Sequence, residues 1–195
     1  MNYYGTQEHK NRIKELDERV FSKIDFTKPE TVKELGNGYA VRYYFFSDEK
    51  NRKPGYAPAR GVIGQLYMGG KLLYTWKNTD GAHRLCDIIH HSDGHDYFLF
   101  DEDLYGYSVL DLQTLGSMHY IPSESYGKAP RETFIWCSCH YNAKTDMLAV
   151  GGCFWAGTED VIVLHFPNPM EPVEAEKWFH VSAAAYSADS LEFAA

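Results

Sequence analysis

The feature that most constrains this chain is an internal repeat. Residues 86–100 (CDIIHHSDGHDYFLF) and 136–150 (WCSCHYNAKTDMLAV) align without a gap at an offset of 50, which sets His90 on His140 and Asp96 on Asp146. Each copy reads as strand, polar turn, strand, with apolar and β-branched runs flanking turn-forming residues. Each continues into a further apolar strand, Tyr107 to Leu112 and Val161 to Phe166, now at an offset of 54. A fourth strand follows near Met118 to Ile121 and near Trp178 to Val181. Only two aligned residues are identical, so the shared order of strands carries the argument. Repeats of about 40–50 residues with four strands each point to propeller blades, and so to an all-β, propeller-like stack of antiparallel sheets.

The chain ahead of the repeat splits in two. Tyr39 to Phe46, Gly61 to Met68 and Lys71 to Trp76 are rich in aromatic and β-branched residues, and Gly69-Gly70 is a two-residue hairpin turn. The Pro- and Gly-bearing stretch from Ser47 to Ala59 is a polar excursion between strands. Before Tyr39 the spacing is helical, because Ile13, Leu16, Val20 and Ile24 recur at steps of three and four. Thr27-Lys28-Pro29-Glu30 predicts a second, shorter helix, with Thr27 as cap, Glu30 closing a capping box and Gly36 as the stop. The expected organisation is a helical cap over residues 1–38 and a single all-β domain over 39–195. The last stretch, Ala185 to Ala195, reads as a further copy broken off after its second strand. About three sheets of this kind leave edges, so an open stack, a ring completed by another chain or a shortened chain all remain. The helix is an expected cover for one edge.

Charge divides the chain in the same way. Residues 1–84 carry 15 Lys and Arg against 10 Asp and Glu, whereas residues 85–195 carry 4 against 17. From Leu85 to Gly127 there is no Lys or Arg, yet the acidic run Asp101-Glu102-Asp103 lies there. Such a half repels polyanions, which argues against nucleic acid as a partner. No apolar run reaches the ~18 residues a spanning helix needs, and Met1 to Lys10 lacks the apolar core of a secretory signal. Four cysteines are too few for a disulfide scaffold, so free thiols in a cytoplasmic protein are expected.

Several constellations carry chemistry in other proteins, and each has a plainer explanation here. His90, His91 and His95 with Asp93 and Asp96 resemble a metal set, but neighbouring strand residues face opposite ways and Asp93-Gly94 is a turn. Cys137, Cys139, His140 and Cys153 are one residue tighter than a zinc knuckle and read as small apolar core residues. Asp101, Asp103 and Gly106 echo a calcium loop whose fifth and twelfth positions, Tyr105 and Leu112, supply no suitable ligand. Gly36-Asn37-Gly38 precedes a strand instead of the helix a phosphate loop requires. No metal and no cofactor is expected. Phe154-Trp155-Ala156-Gly157 forms a loop tip whose Trp155 either folds into the core, the favoured reading, or stands out as a binding anchor.

Ser92-Asp93-Gly94, an apolar strand, and Tyr105 to Leu112 ending in Leu110-Asp111 together resemble a WD40 repeat. Leu110 stands where that family has its Trp, and Leu164-His165 and Tyr141-Asn142 depart further in the second copy. The run Glu132 to Gly157 is also similar to small bacterial proteins of no assigned function. The resemblance covers roughly the last 110 residues. It implies propeller-like blades and a binding scaffold, and brings no catalytic residue. The expected function is a non-catalytic protein-binding module whose acidic C-terminal half docks a basic partner, as an immunity or antitoxin-like protein would. Asp101, Glu102, Asp103, Tyr105 and Trp155 are the candidate contacts, and open sheet edges are a second route to self-association. The rival is an enzyme or a sugar- or small-molecule-binding protein using its aromatic loops.

Overall fold

A computed structural model describes residues 1–82, 84–155 and 157–181. The chain is mostly β and builds three four-stranded antiparallel sheets with one α-helix near its start. Each sheet is open, with two edge strands, and is not closed on itself. The expected copy at Ala185 to Ala195 lies outside the described residues.

By contacts the chain divides into two compact units. The N-terminal unit, Gly5–His83 with Glu102–Leu104, holds α1 (Gln7–Arg19) and the sheet β1 (Thr31–Gly36), β2 (Tyr39–Ser47), β3 (Arg60–Met68) and β4 (Lys71–Asn78). Thr6 caps α1 by accepting the His9 N–H. The apolar stripe is real: Leu16, Val20 and Ile24 pack with Phe21 against Tyr44 and Ile63. Tyr44 and Ile63 are opposite partners on β2 and β3, so the helical segment covers the middle of a sheet face. The expectation that it shields an edge is corrected. Gly61 lets this packing close, since a Cβ there would come 2.6 Å from the Phe21 ring.

The second helix is also corrected. Residues 31–36 form β1, an edge strand paired antiparallel with β2 from Thr31↔Tyr43 to Gly36↔Tyr39. Glu30, read as half of a capping box, gives its N–H to the Tyr43 carbonyl, and the Thr27 N–H goes to Asp25 Oδ1. The ladder satisfies backbone groups that an isolated two-turn helix would leave bare, and local signals yield to it. Gly36-Asn37-Gly38 is the hairpin turn, with all three residues at positive φ. Gly69-Gly70 turns β3 into β4 as expected.

The C-terminal unit comprises Met1–Tyr4, Arg84–Asp101 and Tyr105–Ala195. Its first sheet is β5 (Cys86–His90), β6 (Asp96–Phe100), β7 (Tyr107–Asp111) and β8 (Ser117–Tyr120). Its second is β9 (Ile135–Asn142), β10 (Met147–Cys153), β11 (Glu159–His165) and β12 (Phe179–Val181). All eight strands fall where the repeat placed them, and both sheets are simple up-and-down meanders. The two share one core, in which Tyr97, Leu99, Tyr107, Val109 and Tyr120 meet Trp136, Leu148, Val150, Ile162 and Trp178. Tyr107 stacks on Trp136 with ring centres 4.2 Å apart. Among the described residues no helix is long and apolar enough to cross a membrane.

Candidate functional site

A groove of about 470 Å³ lies in the C-terminal unit beside the long connection from β11 to β12. The sequence of that connection explains its shape. Pro167, Pro169 and Pro172 cannot donate to a ladder, so the chain leaves the sheet after His165 and rejoins it only at Phe179. Phe166 is fully buried; its N–H goes to the Asp146 carbonyl, and its own carbonyl lies 2.9 Å from His91 Nε2. That carbonyl can only accept, so Nε2 carries a proton towards it, while Nδ1 lies 3.2 Å from the Asp93 N–H and 3.1 Å from Asp93 Oδ1.

The far wall is pinned by two tyrosines of the first sheet and by Trp178 just before β12. Tyr107 Oη accepts the Val173 N–H at 2.8 Å, Tyr120 Oη accepts the Ala175 N–H at 3.0 Å, and Trp178 Nε1 donates to the Val173 carbonyl at 2.9 Å. Burial pushes the Tyr120 hydroxyl up to about 12, and burial raises Tyr107 as well, so both stay neutral. The groove is therefore held open by a fixed frame. Its lining combines Pro167, Pro172, Val173 and Phe179 with Glu171, Glu176 and Lys177. Phe179 is 67% exposed on the edge strand β12, an unusual place for a large apolar ring.

The acidic run 101–103 behaves differently from expectation. Asp101 and Asp103 are buried, and only Glu102 between them is partly open. Asp101 Oδ2 accepts the Arg84 N–H at 3.0 Å, which extends the β5–β6 pairing by one step. Asp103 Oδ2 takes Arg12 Nη1 at 2.9 Å and the Thr79 hydroxyl, while Oδ1 takes the Leu104 N–H. Of the expected contacts in this run, Asp101 and Asp103 are thus turned inward, and Glu102 keeps some exposure. The run is a loop, where alternation does not apply and short carboxylates can turn towards nearby donors. Tyr105 is half-buried, next to Gly106, whose φ of +88° and closeness to the Tyr120 carbonyl exclude any larger residue.

Trp155 is 69% exposed, so the core reading is corrected for it. Its neighbour Phe154 takes the inward place, edge-on to Phe134 at 5.6 Å and stacked on His180 at 5.4 Å. A turn closed by the Gly157 N–H on the Phe154 carbonyl leaves the indole outside.

The polar tracts are turn networks. His90 pairs with Asp96 on the surface while His91 is buried, stacked on Tyr141. Asp93 accepts the His95 N–H and the Tyr97 hydroxyl, and Asp146 accepts both the Ser92 and Tyr141 hydroxyls. Ser92 thus gives its proton to a carboxylate that the Ser92 and Tyr141 hydroxyls hold below its ordinary range, a poor base for making a nucleophile. Cys139 packs against the shared core, but Cys137, displaced by a bulge opposite Gly151 and Gly152, lines a separate recess with Cys153. Burial, then the neighbouring Cys153, pushes the Cys137 thiol up, which disfavours the thiolate needed for nucleophilic or metal chemistry. Among the described residues no three His, Cys, Asp or Glu side chains are grouped to hold a metal ion.

Sequence reasoning missed the groove. The signal was present as a Pro-rich, Glu-rich break between two apolar strands, FPNPMEPVEAEKWF. Compared with known proteins, the chain matches no family model, no curated protein and no solved structure.

Proposed function

We propose that this protein is a protein-binding module whose acidic C-terminal unit docks a basic partner. The observation that carries the reading is the groove beside β12, where an exposed aromatic ring sits among glutamates on a frame fixed by buried tyrosines. An apolar anchor supplies the area for affinity, and surrounding carboxylates attract and orient a cationic partner. The two meander sheets of this unit, with their shared strand order, support reading them as propeller-type blades related to WD40 repeats. Blades of that kind commonly present loops to partners. The free cysteines are in keeping with a cytoplasmic setting. An immunity or antitoxin-like role, masking a basic toxin surface, is the concrete form this reading takes.

The test uses a labelled synthetic peptide alternating Lys and Leu, with a Glu and Leu peptide as control, followed by fluorescence anisotropy. The basic peptide binds at low salt, weakens as salt rises, and loses at least tenfold in affinity in the Glu171→Gln, Glu176→Gln, Phe179→Ser protein. Equal binding of both peptides, or undiminished binding by the variant, overturns the reading.

A further inference from the structure

We infer that the acidic groove also takes a second copy of this chain as a basic partner, docked through a groove in its N-terminal unit; the inference rests on the reading above. That second groove holds about 410 Å³ and is lined by Arg19, Asn51, Arg52, Lys53, Tyr56 and the segment Ala57 to Ala59. It contains three cations and no carboxylate in its lining. Arg19 spends one N–H on Glu15, and Arg52 uses Nε to hold the Tyr56 carbonyl at 2.9 Å. That bond folds the loop so that the Tyr56 ring stands 70% exposed.

The two grooves are complementary in three respects. Their volumes are similar, at about 470 and 410 Å³. One carries glutamates and the other guanidinium and ammonium groups, matching the wider imbalance of 15 basic to 10 acidic residues in 1–84 and 4 to 17 in 85–195. Each also presents one exposed aromatic, Phe179 or Tyr56, as a knob for the opposite groove. Facing like with like would set cations against cations or glutamates against glutamates, so the contact is head-to-tail. Rim charges of this kind govern encounter rate and register, and salt screens them beyond about 8 Å at physiological ionic strength.

Sedimentation velocity on three full-length proteins tests this. The first is the unaltered chain, the second carries Arg52→Glu with Lys53→Glu, and the third carries Glu171→Lys with Glu176→Lys. At low salt the unaltered chain gains mass with concentration and returns to monomer in high salt. Each variant alone stays monomeric, and an equimolar mixture of the two associates again, because each retains the groove the other has lost. That rescue also shows that both variants are folded. A strictly monomeric unaltered chain, a variant that associates alone, or a mixture that does not associate overturns the inference. If the unaltered chain is monomeric yet still binds the basic peptide, only self-pairing falls; if the peptide also fails, the docking reading falls with it.

Discussion

The loops at 101–103 and 171–176 look alike in sequence, each an acid-rich break between apolar strands, yet one is spent inward and the other faces solvent. The difference lies in what stands opposite. Asp101 and Asp103 meet the Arg84 N–H, the Arg12 guanidinium and the Thr79 hydroxyl within hydrogen-bonding reach. Around Glu171 and Glu176 the chain runs through Pro167, Pro169 and Pro172, which remove backbone donors. Side-chain length adds to this. A short Asp loses little rotamer freedom on bonding to nearby backbone, whereas a long Glu loses more and stays with water. Charge counted along a sequence is therefore not charge available to a partner.

The sharpest way to break the comparison is to truncate one acid from each loop. Asp103→Ala leaves the Arg12 guanidinium and Thr79 without their carboxylate, and its side chain is only 1% exposed. Removing one member of a buried pair costs about 3 kcal/mol, towards the lower end here because Arg12 is one-third open to water. Glu171→Ala changes stability by less than about 0.5 kcal/mol, as exposed substitutions do. Urea denaturation of both proteins reads the difference. Similar small losses would show that the Asp103 network contributes little.

The sequence showed one half of this molecule far better than the other. In the C-terminal unit each described strand pairs with a neighbour that is close in the chain, so apolar runs, turn residues and the repeat located them. The N-terminal error at Thr31–Gly36 has a different origin. Thr27, Pro29 and Glu30 carry strong local helix signals, and only pairing with β2 outweighs them. The inward turn of Asp103 was invisible for a similar reason, since Arg12 lies 91 positions away. Trp155 and Phe154 differ through one turn bond, which composition does not encode.

A smaller effect sharpens the inward side of the comparison. Asp111 is buried, which raises its pKa, but the Gln113 N–H, Thr114 and His95 outweigh burial and hold it below its ordinary 3.8. A carboxylate with a lowered folded pKa stabilises the fold above the unfolded value. That contribution is lost as pH falls through 3.8 towards the folded value. Stability should thus decline steeply below about pH 4. Asp111→Asn keeps an oxygen for the two backbone N–H groups, so it weakens the protein at neutral pH less than Asp103→Ala does. It also flattens the acid limb of the stability curve. An unchanged acid limb would place the acid sensitivity in other carboxylates, such as Asp93, whose burial is likewise outweighed by the His95 N–H and the Tyr97 hydroxyl.

The smallest expected effect comes from two adjacent rings. Phe154 packs on Phe134 and His180, whereas Trp155 is 69% exposed one residue later. Truncating a partly buried Phe removes aromatic contacts and leaves a void at the sheet end, so Phe154→Ala should cost about 2 kcal/mol, less than a fully buried Phe would. Trp155→Ala removes a ring that is mostly in water already, and its cost should fall within about 0.5 kcal/mol. The two variants share a turn and a chain neighbourhood, so backbone effects largely cancel between them. Parallel thermal melts, with Phe154→Leu as a milder companion, separate the cases. A Trp155→Ala loss as large as that of Phe154→Ala would mean that the indole packs into the fold in solution. An unchanged melt together with weaker binding of the basic peptide would instead add the β10–β11 tip to the docking surface.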